Sequence, residues 1–333
     1  MASLVVQTSF IGDAVLTTPL VATLAARGPV DVVATQLGAS VLAGNPHVRR
    51  LIVYDKRGKD NGPSGLLRIA SSVRAPDRDA TAYLAQGSVR SALLARIAGY
   101  KQRVGFDTSA GRLLYTRLIP FQRAQHHAER LLRLAIGADA EVLRSALRPR
   151  VHPSVTDRDA VDTLLGTVPS EGRPLIALAP GSVWATKRWP YYAELAAALQ
   201  ATHRSIVVGS RDDTPLAAEI VRATGGDAID ATGRLTLLGS AELIGRCSAI
   251  VTNDSAPLHL ASAMNTPTVA IFGPTVPAFG FGPLAETSTI AEHITLDCRP
   301  CHPHGPMVCP LGHWRCMRDL SLESVLARVT ALP

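Results

Sequence analysis

Leu175-Ile176-Ala177-Leu178-Ala179-Pro180-Gly181-Ser182-Val183-Trp184-Ala185-Thr186-Lys187-Arg188-Trp189-Pro190 runs from a short apolar stretch through a loop of small and basic residues into a helical pattern over 191–200. An apolar run without polar alternation, then a glycine loop, then a helix, is how a β-α unit of a parallel sheet reads, because such strands are covered on both faces. The same order recurs downstream. Residues 205–208 read as a strand, 215–223 and 236–244 as helices, 249–251 as a strand, 258–264 as a helix and 268–272 as a strand. This alternation predicts an α/β fold, an open parallel sheet with helices on both faces whose ligands bind at the carboxyl ends of the strands.

The first half opens the same way. Leu4-Val5-Val6 leads into Ser9-Phe10-Ile11-Gly12-Asp13, and 14–26 reads as a helix. Further strands are expected at 30–34 and 51–54, and helices at 88–97 and 127–136, where leucines recur three and four apart. At 333 residues the chain exceeds what one core usually supports, so two domains are expected. Prolines between 149 and 174 surround one helical stretch, 155–165, which puts the junction there: a first domain over 1–165 and a second over 166–333.

Apolar residues make up 47% and charged residues 18%, a globular balance. No stretch approaches the roughly 20 apolar residues of a membrane span, since 4–24 is broken by Gln7, Asp13 and Pro19. The opening residues carry no basic-then-apolar export pattern, and a cytoplasmic location is expected. Net charge is +7, but 56–150 alone holds 18 Lys plus Arg against 7 Asp plus Glu. A basic first half suits an anionic partner, whether nucleic acid, an acidic membrane surface or a charged substrate; it also suits a plain solvated surface.

Two loops of the second half could hold an anion. In 179–190, Ser182 and Thr186 offer hydroxyls and Lys187 a positive charge at a helix entrance, although the spacing is not that of a Walker loop and the loop taken alone reads better as a solvated surface loop. In Thr252-Asn253-Asp254-Ser255-Ala256-Pro257-Leu258-His259, Asp254 or Ser255 can cap the helix and Pro257 suits its first turn. His259 then faces either phosphates or the core. Two such loops at strand ends point to a nucleotide diphosphate. Asp13 is either the N-cap of the first helix or a general base taking a proton from an acceptor hydroxyl across an interdomain cleft. Cys298, Cys301, Cys309 and Cys316, with His302, His304 and His313 among them, form either a structural metal site or a loop of reduced thiols. Cys247 is expected to pack in the core.

Taken together these residues resemble glycosyltransferase family 9, the bacterial lipopolysaccharide heptosyltransferases. The resemblance runs from Phe10-Ile11-Gly12-Asp13 and Leu16-Thr17-Thr18-Pro19, through Pro180-Gly181-Ser182 and Lys187-Arg188-Trp189-Pro190, to Asn253-Asp254-Ser255, His259-Leu260-Ala261 and Phe272-Gly273-Pro274-Thr275. The tail Cys309-Pro310-Leu311-Gly312-His313 with Cys316-Met317-Arg318-Asp319 is similar to the heptosyltransferase II branch. The resemblance implies a GT-B fold, two Rossmann-like domains facing a cleft, and inverting, metal-independent and cofactor-free transfer of L-glycero-D-manno-heptose. The donor would be ADP-heptose and the acceptor the lipid A–Kdo inner core, at the inner face of the inner membrane.

Carried over by position, Asp13 matches the base and Lys187 the phosphate-binding lysine. Asp254, Ser255, Ala256 and His259 match the donor-diphosphate loop, and Ser182 and Thr186 the nearby hydroxyls. Asp212, Asp213 and Thr236 are candidates near adenine or ribose. Ala256 departs from the family's usual glycine.

Three rivals remain at this stage: a family member with another sugar or acceptor, a catalytically idle relative, and a nucleic-acid-binding protein with a cysteine metal site. Against the last, aromatics are 5% and no nucleic-acid module is recognisable, so no nucleic-acid partner is expected.

Overall fold

The apolar runs fold as parallel strands. In the computed structural model, which describes residues 1–166 and 172–333, the chain divides into two compact units, Met1–His152 and Pro153–Pro333. Among the described residues each unit holds one six-stranded parallel sheet. In the first, β1 (Ser3–Gln7), β2 (Val30–Ala34), β3 (Arg50–Val53), β4 (Thr81–Tyr83), β5 (Gln102–Phe106) and β6 (Arg117–Ile119) lie in the order β3-β2-β1-β4-β5-β6. In the second, β7 (Leu175–Ala179), β8 (Arg204–Val207), β9 (Ile229–Asp230), β10 (Ala249–Asn253), β11 (Thr268–Phe272) and β12 (Ser288–Glu292) lie in the order β12-β11-β10-β7-β8-β9. The α/β class expected from the alternation is the one observed. Strands β4, β5, β6, β9 and β12 were not anticipated.

Each sheet reverses its winding once. The first switches between β1 and β4, the second between β7 and β10. Loops leaving the carboxyl ends of such strand pairs border a crevice that no crossover helix fills. Residues 8–13 and 84–88 occupy that position in the first unit, 180–190 and 254–258 in the second.

The central strands are buried along their full length, as for Ser3–Gln7, Ala249–Asn253 and Thr268–Phe272, which is why each carries an apolar run, 4–6, 249–251 and 269–272. Against the second sheet, helix Tyr192–Leu199 lays Tyr192, Leu195 and Leu199 on Ile176, Leu178 and Val207. Val325 and Val329, from a helix Leu322–Thr330 that the sequence reading did not assign, belong to the same core. Each buried leucine contributes about 1.5–3 kcal/mol, and Leu195→Ala costs about 2–5 kcal/mol once the cavity is included.

The helix expected over 14–26 is two helices, Ile11–Leu16 and Thr18–Ala25. Pro19 has no N–H to give the carbonyl of Val15 four residues earlier, and the Thr18 hydroxyl donates to it instead at 2.8 Å. The Thr17 hydroxyl donates to the Asp13 carbonyl at 2.6 Å and accepts from Gln7 Nε2 at 3.0 Å. The Leu16-Thr17-Thr18-Pro19 stretch is thus a hydroxyl-braced joint that anchors the turn carrying Asp13.

The division between units falls at His152–Pro153, ahead of helix Val155–Gly166 rather than behind it. That helix is tied into the second unit through Asp157, which accepts from the Thr236 hydroxyl at 2.5 Å and from the Ser154 amide and hydroxyl at 2.8 and 2.7 Å. Burial pushes the Asp157 carboxyl up, and these donors outweigh it, leaving it below the ordinary value. Residues 167–171 of the proline-rich junction lie outside the described residues. No helix among the described residues is long and apolar enough to cross a membrane.

Candidate functional site

In the second unit the two switch-point loops are laced together by Asn253, the fully buried last residue of β10. Its Nδ2 donates to the Pro180 carbonyl at 2.8 Å, and its Oδ1 accepts from the Trp189 amide and the Tyr192 hydroxyl, both at 3.3 Å. The turn after β7 requires glycine, since a Cβ on Gly181 would lie 2.2 Å from Asp213 Oδ1. Asp213 is itself held by the Ser210 amide and hydroxyl, both at 2.8 Å.

Lys187 turns inward from this frame. Its Nζ donates to Asp254 Oδ2 at 2.6 Å and to the Asp254 carbonyl at 3.2 Å, and Asp254 Oδ2 also accepts from the Thr275 hydroxyl at 2.7 Å. An ammonium has three hydrogens, so one is left to donate to an incoming anion. Asp254 precedes helix Ala256–Met264, whose N-cap is Ser255. The Ser255 hydroxyl does not cap; it donates to the Asn253 carbonyl at 3.4 Å. The leading amides of that helix, beginning with Ala256, therefore carry the positive end of its dipole without a side-chain cap. His259 is buried one turn in, edge-on to Phe281 at 6.3 Å.

The remaining hydroxyls of the expected set serve the loop itself. Ser182 Oγ accepts from the Trp184 amide at 3.3 Å, and the Thr186 hydroxyl donates to the Pro306 carbonyl. Asp212 is exposed, while Asp213 and Thr236 are bound into local structure, Thr236 capping helix Leu237–Gly245 through the Gly239 amide at 2.9 Å.

The cysteine-containing segment packs on these loops. Arg299, between Cys298 and Cys301, donates to the carbonyls of Phe272, Gly273, Thr275 and His293 and pairs with Glu292 at 2.9 Å. The Cys301 amide donates to the Pro274 carbonyl at 2.9 Å, and His304 stacks on Trp184 at 6.3 Å. All five cysteines are free, and among the described residues no three His, Cys, Asp or Glu side chains converge as a metal shell. Cys247 is buried as expected, and burial pushes its thiol up to about 12.

In the first unit Asp13 is not the N-cap of its helix. The cap is Phe10, and Asp13 stands three residues on, its Oδ2 accepting from the Phe10 amide at 3.3 Å. Its Oδ1 lies 3.3 Å from His127 Nε2. Beside the same loop, Lys56 Nζ donates to the Thr8 carbonyl at 2.7 Å and Arg90 donates to the Lys56 carbonyl at 3.1 Å.

Within the second unit, a lysine beside an uncapped helix start at the β7/β10 switch suits a phosphorylated ligand. The profile of glycosyltransferase family 9 (heptosyltransferase) matches residues 66–314. The chain belongs to glycosyltransferase family 9. This family 9 glycosyltransferase is 30% identical to lipopolysaccharide heptosyltransferase 2 of Escherichia coli (strain K12), across 100% of the chain and 98% of the relative. It is also 30% identical to lipopolysaccharide heptosyltransferase 2 of Salmonella typhimurium (strain LT2), across 89% of each. The solved structure of E. coli ADP-heptose lps heptosyltransferase II superposes with a TM-score of 0.77 at 26% identity, covering 100% of this chain and 98% of that one. The two parallel Rossmann-like units are those of the GT-B class.

Sequence reading of this family 9 glycosyltransferase missed His127, Arg299 and the role of Thr275. Thr275 stood inside a quoted motif, and Arg299 stood between two cysteines that drew attention to themselves. His127 was visible only as the first residue of a helix.

Proposed function

We propose that this glycosyltransferase moves L-glycero-D-manno-heptose from ADP-heptose to the inner core of lipopolysaccharide, in the manner of heptosyltransferase II, with inversion and without a metal. The observation that carries the reading is Lys187, buried at the uncapped start of helix Ala256–Met264 at the β7/β10 switch point. A departing diphosphate develops negative charge, and a lysine with helix-terminal amides stabilises it from positions set before reaction. The names of the relatives, heptosyltransferases over the full chain length, support heptose as the sugar and lipopolysaccharide as the acceptor.

In the proposed step the acceptor hydroxyl loses its proton to Asp13 as its oxygen bonds the anomeric carbon, and the carbon–oxygen bond to the diphosphate breaks with its electrons leaving on ADP. Displacement from the face opposite the leaving group inverts that carbon. Lys56, Arg57 and Arg90, grouped beside the Thr8 loop that leads to Asp13, suit the carboxylates and phosphates of a Kdo-bearing acceptor. Such an acceptor is lipid-anchored, which suits work at the cytoplasmic face of the inner membrane.

The test is transfer from ADP-heptose to a Kdo-containing acceptor by wild type and Asp13→Asn, with donor binding followed by calorimetry. Wild type is expected to transfer, and the variant to bind donor without transferring. A wild type that neither binds ADP-heptose nor transfers from it would overturn the reading.

A further inference from the structure

We propose that His127 is the positioning residue of the Asp13 carboxylate, an inference that rests on the reading of Asp13 as the base. A carboxylate's terminal torsion is broad, so an aspartate on an exposed turn samples many planes. Here each oxygen has a partner, one from its own turn and one from another helix. The Phe10 amide, on the same turn, faces Oδ2 at 3.3 Å, and His127 Nε2, from helix His127–Ile136, faces Oδ1 at 3.3 Å. Two anchors from separate elements fix the plane of the carboxylate.

The helix that carries the imidazole is itself held. His127 is the first residue of a helix whose preceding residue caps it, His126 Nδ1 accepting from the Ala128 amide at 3.2 Å. Three residues on, Arg130 lies on the same helix face, buried, with its guanidinium 4.7 Å from the ring centre of Phe121. Phe121 in turn meets Phe106 of β5 edge-on at 5.3 Å. Burial pushes the Arg130 guanidinium down and the field of Asp13 works against this, so Arg130 of the same helix also acts on that carboxylate. Contacts of about 3.3 Å are loose, as expected of groups that tighten when substrate closes the site.

His127 moves no atom of the transferred group. The acceptor proton still goes to Asp13, and the electrons of the broken bond still leave on ADP. The imidazole sets the direction of the accepting lone pair, and a misplacement of about 1 Å in such a group lowers a rate by up to about 100-fold.

The experiment compares His127→Leu with His127→Gln, whose side-chain nitrogen can occupy the place of Nε2. His127→Leu is expected to lower kcat about 10- to 100-fold while the KM and calorimetric affinity for ADP-heptose and the thermal midpoint stay near wild type. His127→Gln is expected to recover much of that loss. Should the leucine variant fail to fold, His127→Asn replaces it, because its amide reaches only the place of Nδ1 and the same loss is expected. A leucine or asparagine variant within twofold of wild type, equal impairment of the glutamine variant, or a parallel loss of donor affinity would each overturn the proposal. Asp13→Asn separates the two levels: full activity there removes the base reading itself, whereas an inactive Asp13→Asn beside an unimpaired His127→Leu removes only the role of His127.

Discussion

Lys187 Nζ lies 2.6 Å from Asp254 Oδ2, with both side chains about nine-tenths buried. The pair does two separable things: it keeps a buried aspartate neutralised, and it holds an ammonium at the start of helix Ala256–Met264. Removing one partner of such a pair leaves an uncompensated charge and costs about 3–5 kcal/mol, whereas replacing both by apolar groups is often neutral. Lys187→Met is therefore expected to lower the denaturant midpoint and to abolish calorimetric ADP-heptose binding. Lys187→Met with Asp254→Leu is expected to regain most of the stability and none of the transfer. Transfer by the double variant would remove Lys187 from the diphosphate site.

Lys56 supplies a pH dependence whose sign can be worked out. Burial lowers its ammonium below the ordinary lysine value of 10.5, and Arg57 and Arg90 lower it further. Binding an anionic acceptor favours the charged form, so acceptor affinity is full at neutral pH and falls as pH rises through the lowered value. The expected result is an acceptor KM that climbs at alkaline pH sooner than an unperturbed lysine would give, with the donor KM flat over the same range. Lys56→Ala and Arg90→Ala are expected to raise the acceptor KM several-fold at pH 7 and to flatten that climb. Equal changes in both KM values would place these cations outside the acceptor site.

In the proposed step, charge stabilisation by Lys187 and helix amides takes the place of a divalent ion. Transfer assayed after exhaustive chelation is expected to proceed at the untreated rate. A loss that magnesium or manganese restores would mean that the diphosphate is neutralised by a metal in addition to Lys187.

How far these features can be read from sequence depends on how local they are. Strands β10 and β11 declared themselves because they are buried throughout and carry the apolar runs 249–251 and 269–272. Strand β9 has two residues and β4 three, too short to carry any period. The break at Thr17 was missed, since 14–26 reads as one helix despite Pro19, and its form depends on the Thr18 hydroxyl donating to the Val15 carbonyl, a matter of side-chain rotamer. In the site, Lys187 and Asp254 were each legible as residues of strand-end loops. Their pairing spans 67 positions, and no spacing rule connects them. Asp13 suited an N-cap on composition, but the turn begins earlier, at Phe10, and turns the carboxylate back on the Phe10 amide.

Arg299 explains why a cysteine-flanked turn belongs to a transferase at all. Its guanidinium, 4% exposed, bonds the carbonyls of Phe272 and Thr275 at 3.2 and 2.9 Å and that of His293 at 2.6 Å, and it pairs with Glu292. Thr275 then reaches Asp254, and Asp254 reaches Lys187. The segment therefore acts on the proposed donor loop through one planar fork of donors, a geometry that lysine cannot reproduce. Arg299→Lys keeps the charge beside Glu292 but loses the carbonyl clamp, and is expected to fold with a modest loss of thermal midpoint while the KM for ADP-heptose rises about tenfold. Alkylation of the half-buried Cys298, or its replacement by serine, is expected to leave that KM within about twofold, because the fork and not the thiol holds the loop. An Arg299→Lys enzyme with an unchanged donor KM, or a Cys298→Ser enzyme as impaired as Arg299→Lys, would show that the loop is held by something other than the guanidinium.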